Sequence, residues 1–219
     1  MSKTEFKVLA IDDEKDILLL LRYNLESEGY HVKTASSGKE GIKVAEEFNP
    51  DLILVDIMMP EIDGIEVCRR IREIDKFTST YILFLTARVE EYSEVAAFDA
   101  GGDDYITKPF SIKVLLARVS AVLRRSFEEY DQDSDKSLLI NGISIKPRLR
   151  EVRVEDKEID NLTFSEFQIL YLLAGHPGWV FTRYQIINKI RGANYPVTDR
   201  SVDFQIVGLR KKLGGAGKL

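Results

Sequence analysis

Five strand-length runs recur through the first half of the chain, near 6–11, 30–34, 51–55, 80–85 and 104–107, and three of them are almost unbroken in apolar residues. An unbroken run suits a strand buried on both faces, which is the situation in a parallel sheet held between two layers of helices. Amphipathic stretches fill the intervals and predict helices near 14–28, 38–48, 64–74, 91–100 and 112–125. In the first of them Ile17, Leu18, Leu21 and Leu25 share a face, and in the last Leu115, Leu116, Val119, Val122 and Leu123 do. Five strand–helix units with short connections close into one topology class, a doubly wound five-stranded parallel sheet with right-handed crossovers.

Charges and a hydroxyl collect where these strands end. Asp12 and Asp13 follow FKVLAI, Asp56 closes DLILVD, Thr86 follows YILFL, and Lys108 precedes Pro109. In an open parallel sheet the carboxyl ends of the strands form the ligand crevice, at the point where strand order reverses. Asp12 alone is equally well explained as a helix N-cap, but five such groups at four strand ends are not. Three carboxylates meeting there repel one another, and a hard divalent cation relieves the repulsion; Mg2+ suits a site that also holds a phosphoryl group. One carboxylate then serves as nucleophile toward phosphorus, with Lys108 as the opposing cation.

The net charge of −5 conceals a division of labour. Residues 1–126 carry 17 basic and 23 acidic side chains, residues 127–137 carry 1 and 5, and residues 138–219 carry 13 and 8. A controlling module, an acidic linker and a nucleic-acid-binding module are therefore expected, with boundaries at 1–126, 127–137 and 138–219. The single cysteine, Cys68, excludes an intramolecular disulfide and is expected half-buried on a helix. No stretch reaches the roughly 20 apolar residues of a membrane span, and the first six residues lack a signal-peptide layout, so a cytoplasmic protein without membrane attachment is expected.

In the third segment, short alternating runs broken by Asn141-Gly142, Pro147 and Asp156 predict a small antiparallel sheet. Thr163 with Glu166, and Thr182 with Gln185, have capping-box spacing and announce two helices. A third is expected over 199–213, with Val202, Ile206, Leu209 and Leu213 as its core stripe and Arg200, Gln205, Arg210, Lys211 and Lys212 on the opposite face.

IDDE at 11–14, LVDIMMPEIDG at 54–64, LTAR at 85–88 and GGDDYITKPF at 101–110 make residues 6–125 resemble the flavodoxin-like receiver domain of two-component response regulators. The resemblance implies that Asp56 accepts a phosphoryl group from a sensor histidine kinase. It further implies that Asp12, Asp13, Asp56 and the Met58 carbonyl hold Mg2+, that Lys108 pairs with the phosphate, and that the Lys108-Pro109 bond is cis. Thr86 and Tyr105 would transmit the switch, with Tyr105 turning inward, and no separate substrate would be turned over.

EVRV at 151–154, LTFSEFQIL at 162–170 and DRSVDFQIVGLRKKLG at 199–214 resemble the winged-helix effector of the OmpR/PhoB subfamily. That implies transcription control through double-stranded DNA, with the third helix in the major groove. The resemblance breaks at Gln205, Val207 and Gly208, where the family carries a histidine and basic or polar residues. The wing hairpin that follows the third helix in the family is also expected to be missing. An interaction-only regulator, with an intact phosphoacceptor and no specific DNA binding, is the alternative that these departures suggest. The resemblance also implies a homodimer through helix 4, strand 5 and helix 5. Asp103 and Asp104 would meet Arg118 and Arg125 across its axis, while Glu94 and Val114 depart from the usual pairs.

Overall fold

The register of the first sheet does most to build the functional edge. The computed structural model describes residues 6–87, 91–128, 137–192, 195 and 200–218. Strands β1 (Lys7–Ile11), β2 (His31–Ala35), β3 (Leu52–Asp56), β4 (Tyr81–Thr86) and β5 (Asp104–Thr107) form one parallel sheet in the order β2-β1-β3-β4-β5. Ile11 stands opposite Val55, Asp56 opposite Leu85, and Thr86 opposite Thr107. Asp12 and Asp56 are therefore level, with Thr86 one residue and Lys108 two residues beyond that row at the same edge, before any side-chain packing is considered.

Helices α1 (Lys15–Ser27), α2 (Gly38–Phe48), α3 (Gly64–Arg72), α4 (Glu91–Asp99) and α5 (Ile112–Glu128) connect and follow the strands. Because side chains alternate along a strand, Leu9, Ile11, Ile53, Val55, Ile82 and Phe84 fall on one face, packed with Ala45, Val67, Cys68, Ile71 and Ala97 of α2, α3 and α4. Val8, Ala10, Leu54, Leu83 and Leu85 point the other way and are equally buried, as are Leu18, Leu21 and Leu25 of α1 and Leu115, Val119 and Val122 of α5. Cys68 is fully buried, with its thiol donating to the carbonyl of Ala100, and burial pushes its pKa up to about 12. The half-buried position expected for it missed that α3 turns this side, not its arginines, to the sheet.

The chain divides into two units, Met1–Val119 and Ser120–Leu219, so the division falls inside α5. The linker expected over 127–137 lies largely outside the described residues. In the second unit β6 (Leu138–Ile140), β7 (Ile143–Lys146), β8 (Glu151–Val154) and β9 (Lys157–Glu158) form an antiparallel meander. Two of its turns are two-residue hairpins, Asn141-Gly142 and Glu155-Asp156, with all four residues at positive φ, as tight hairpins that follow the sheet twist require.

Helices α6 (Phe164–Ala174), α7 (Arg183–Arg191) and α8 (Arg200–Leu213) follow. Both expected capping boxes are present: Thr163 and Glu166 exchange hydrogen bonds with each other's backbone at the start of α6, and Thr182 and Gln185 do so at α7. After α8 a 3-10 turn covers Gly214–Lys218, and no strand follows it among the described residues. Ile206 is only half-buried and, with Ile143, Leu170, Leu173, Trp179 and Leu213, lines an apolar cavity of about 470 Å3.

Candidate functional site

Asp56 ends β3 and is buried, 4% exposed. Asp63 caps α3 by accepting from the Glu66 amide, and Gly64 starts the helix against the Asp56 carbonyl, where a Cβ would overlap the backbone. Glycine at 64 is thus what lets α3 begin so close to the carboxylate. Asp12 is fully buried; its Oδ1 accepts from the Glu14 amide at 2.9 Å and its Oδ2 from Lys108 Nζ at 2.8 Å. The same ammonium lies 3.4 Å from Asp56 Oδ2 and 3.3 Å from Glu14 Oε1, and the Lys108-Pro109 bond is cis.

Asp12, Asp13 and Asp56 each offer an oxygen within 4.8 Å of the others. Asp56 Oδ1 is buried with no hydrogen-bond partner among the described residues. A hard oxygen-seeking cation fits that donor set, and an orphaned carboxylate oxygen is what a metal or an incoming phosphoryl group would satisfy. Burial pushes the pKa of Asp56 up to about 6; Lys108 and the Met58 amide pull it down, and the charge of Asp12 adds to the rise. Burial also works to lower Lys108, but its hydrogen bond to Asp12 and the charges of Asp56 and Asp12 leave it raised.

One consequence is a pH-dependent cost of folding. The unfolded carboxyl titrates near 3.8 and the folded one near 6, so the native state holds the proton more tightly. Stability is fully present below the unfolded value and is lost as pH rises through the folded one. Asp56→Asn, which keeps the shape and removes the ionisation, is therefore expected to be more stable than the native chain by about 1–3 kcal/mol at pH 7.5. Near pH 4 the two should converge. Urea unfolding in chelator at both pH values checks this, and an Asn variant less stable at pH 7.5 would contradict it.

Thr86 is buried at the end of β4, two strands from Asp12. Tyr105 is also buried, edge-on to Phe98 with ring centroids 6.1 Å apart. Glu14 is the site residue that sequence reasoning missed. Its place right after the Asp12-Asp13 pair was the available signal, since a loop that brings Asp12 to Lys108 brings its neighbour too.

Two groups of expected site residues need correction. Asp103 and Asp104 are buried and paired within their own chain, Asp103 Oδ2 with Arg72 at 2.9 Å and Asp104 Oδ2 with Arg118 at 2.9 Å. Arg118 also donates to the Tyr105 carbonyl. These groups serve the fold of the first unit, because a carboxylate desolvated beneath a sheet edge needs a partner there. The side chain of Arg125 lies outside the described residues.

On α8, Gln205 is buried beside the Thr163 hydroxyl, 3.4 Å away, and Lys212 donates to Glu166 and to the Asn161 carbonyl. Both side chains turn toward α6 and the segment before it. Gln205 lies three residues after Val202 and four before Leu209, so helical periodicity had already placed it on the core side. Arg210 and Lys211 are exposed as expected, and the side chain of Arg200 lies outside the described residues.

Sheet order, acidic cluster and the three-helix second unit together define a class: a receiver domain joined to a DNA-binding transcription-regulator domain. Residues 8–120 match the response regulator receiver domain, and residues 156–219 match the transcriptional regulatory protein C-terminal domain. The alkaline phosphatase synthesis transcriptional regulatory protein PhoP of Bacillus subtilis is 40% identical over 213 residues, covering 94% of this chain and 88% of PhoP. Response regulator ArlR of Staphylococcus aureus is 40% identical over 207 residues, covering 94% and 90%. Among solved structures, a RitR mutant superposes with a TM-score of 0.78 over 95% of this chain and 90% of its own, at 23% identity, a likeness of fold. The OmpR/PhoB homologue DrrB of Thermotoga maritima gives 0.51 at 32% identity, covering 97% and 91%. The chain belongs to the two-component response regulators, in the OmpR/PhoB subfamily with a winged-helix output domain.

Proposed function

We propose that Asp56 is the phosphoacceptor, receiving a phosphoryl group from the phosphohistidine of a sensor kinase, and that this modification controls DNA binding by the second unit. The observation that carries the proposal is the orphaned Oδ1 of Asp56, buried within reach of two further carboxylates and a lysine. At neutral pH the group is above its raised pKa of about 6 and is ionised, as a nucleophile must be. Asp56 forms a bond to phosphorus as the histidine nitrogen–phosphorus bond breaks, and the phosphoryl group stays on the protein without turnover of a separate substrate.

Asp12, Asp13 and Asp56, with the Met58 carbonyl, would hold Mg2+, which when bound neutralises the carboxylates and the transferring oxygens. Lys108 sits close enough to Asp56 to turn from the carboxylate to the new phosphate oxygens. Phosphorylation adds about −1.5 to −2 charges and three acceptors, to one of which the hydroxyl of Thr86, buried at the end of β4, would donate. Thr86 and Tyr105 then couple the site to the surface of α4, β5 and α5, the face on which two chains would pair. Asp103 and Asp104 are already paired with Arg72 and Arg118 in their own chain, so any part they take in that homodimer would add to those pairs or replace them.

No described helix is long and apolar enough to cross a membrane, in keeping with a regulator that works in the cytoplasm. The test is a duplex-DNA titration with the full chain before and after acetyl phosphate and Mg2+. Affinity should rise by about 5- to 150-fold, the usual range for coupling between two sites. Equal affinity in both states would contradict the coupling and favour an interaction-only output.

A further inference from the structure

The outward stripe of α8 has an unusual centre. Asp203, Val207, Arg210 and Lys211 stand at i, i+4, i+7 and i+8, so they share one face of the helix. Its inward side is fixed by buried Ser201, Val202, Gln205 and Leu209. Arg210 and Lys211 are exposed, and Asp203 is steered by a 2.8 Å ion pair with Arg183 of α7. Between these charges Val207 is 62% exposed.

A single exposed valine is ordinary on most surfaces. Here it occupies the crest of a face of α8 that carries the exposed Arg210 and Lys211, in the domain whose family role is to bind DNA. Next to it, Gly208 adds no competing side chain, and a Cβ there would meet the Glu166 carboxylate, so position 208 turns to α6. When Arg210 and Lys211 approach phosphates, the side chain left facing the base edges is an apolar branch with neither donor nor acceptor.

We infer that Val207 is a specificity-determining residue that reads thymine by packing against its 5-methyl group in the major groove. Among the four bases only thymine presents an apolar group there; guanine, adenine and cytosine are read through hydrogen bonds that valine cannot make. The flanking cations position the helix, and Val207 supplies base preference. This rests on the DNA-binding role of the second unit.

The experiment is selection of bound duplexes from a random library with the full chain, followed by replacement of each selected thymine with uracil. Uracil pairs identically and lacks only the methyl group. One thymine position should lose about fourfold in affinity on replacement, the effect of unburying a single methyl group. With Val207→Ala that loss should fall below about twofold, and Val207→Arg should move the preference toward guanine. Because Val207 is exposed, neither variant disturbs the core. An enriched site at which the uracil penalty is absent, or persists undiminished in Val207→Ala, would overturn the assignment alone. If no sequence is enriched, specific DNA recognition by this chain falls, and the role of Val207 with it.

Discussion

Arg72→Ala is expected to speed native-state hydrogen exchange in β4 and β5 by several hundredfold or more, while peptides of the second unit keep their rates. Arg72 ends α3, and its guanidinium donates from Nε to Gly101, from one terminal nitrogen to the carbonyls of Phe77 and Thr80, and from the other to Asp103. The Asp103 carboxylate is fully buried, and the oxygen that receives Arg72 also receives the Ile82 amide at the start of β4. One side chain thus ties α3, the turn before β4 and the loop before β5 into a single unit. Truncation would leave several carbonyls unsatisfied and a desolvated carboxylate without its countercharge, a defect of about 3–5 kcal/mol. Asp103→Asn added to Arg72→Ala should recover part of the loss, since it removes the stranded charge. Exchange rates within threefold of the native chain would show that water replaces the arginine and that the clamp contributes little.

This clamp also marks the limit of what was legible in the sequence. Continuous apolar runs and helical stripes were sufficient for the five-stranded sheet, because two-sided burial leaves a parallel sheet few alternatives. Once β1 and β3 are neighbours, register alone brings Asp12 level with Asp56 and carries Thr86 and Lys108 to the same edge. Capping boxes and the Asn141-Gly142 hairpin were visible because they are local, each settled by residues within four positions.

Long-range polar pairing was not visible. Nothing in the spacing of Arg72 and Asp103, thirty-one residues apart, announces that the carboxylate goes inward and not to a partner chain. The pairing of Asp104 within its own chain went unseen for the same reason, its arginine being on α5. Gln205 failed differently: its polarity outweighed its helical position, although a buried amide beside the Thr163 hydroxyl is as satisfied as one facing solvent or DNA.

Asp56→Ala is expected to abolish phosphoryl uptake completely, and the geometry explains why no neighbour takes over. Both oxygens of Asp12 are engaged, one by the Glu14 amide and the other by Lys108. Asp13 is exposed, without the enclosure that screens a phosphoryl group from water. Of the three carboxylates, Asp56 alone combines a buried oxygen without a partner among the described residues with an ammonium 3.4 Å from its second oxygen. The direct measurement is the intact mass of the native chain and of Asp56→Ala after incubation with acetyl phosphate and Mg2+. The native chain should gain a single phosphoryl group and the variant none; equal incorporation in Asp56→Ala would contradict the assignment of Asp56 as the phosphoacceptor.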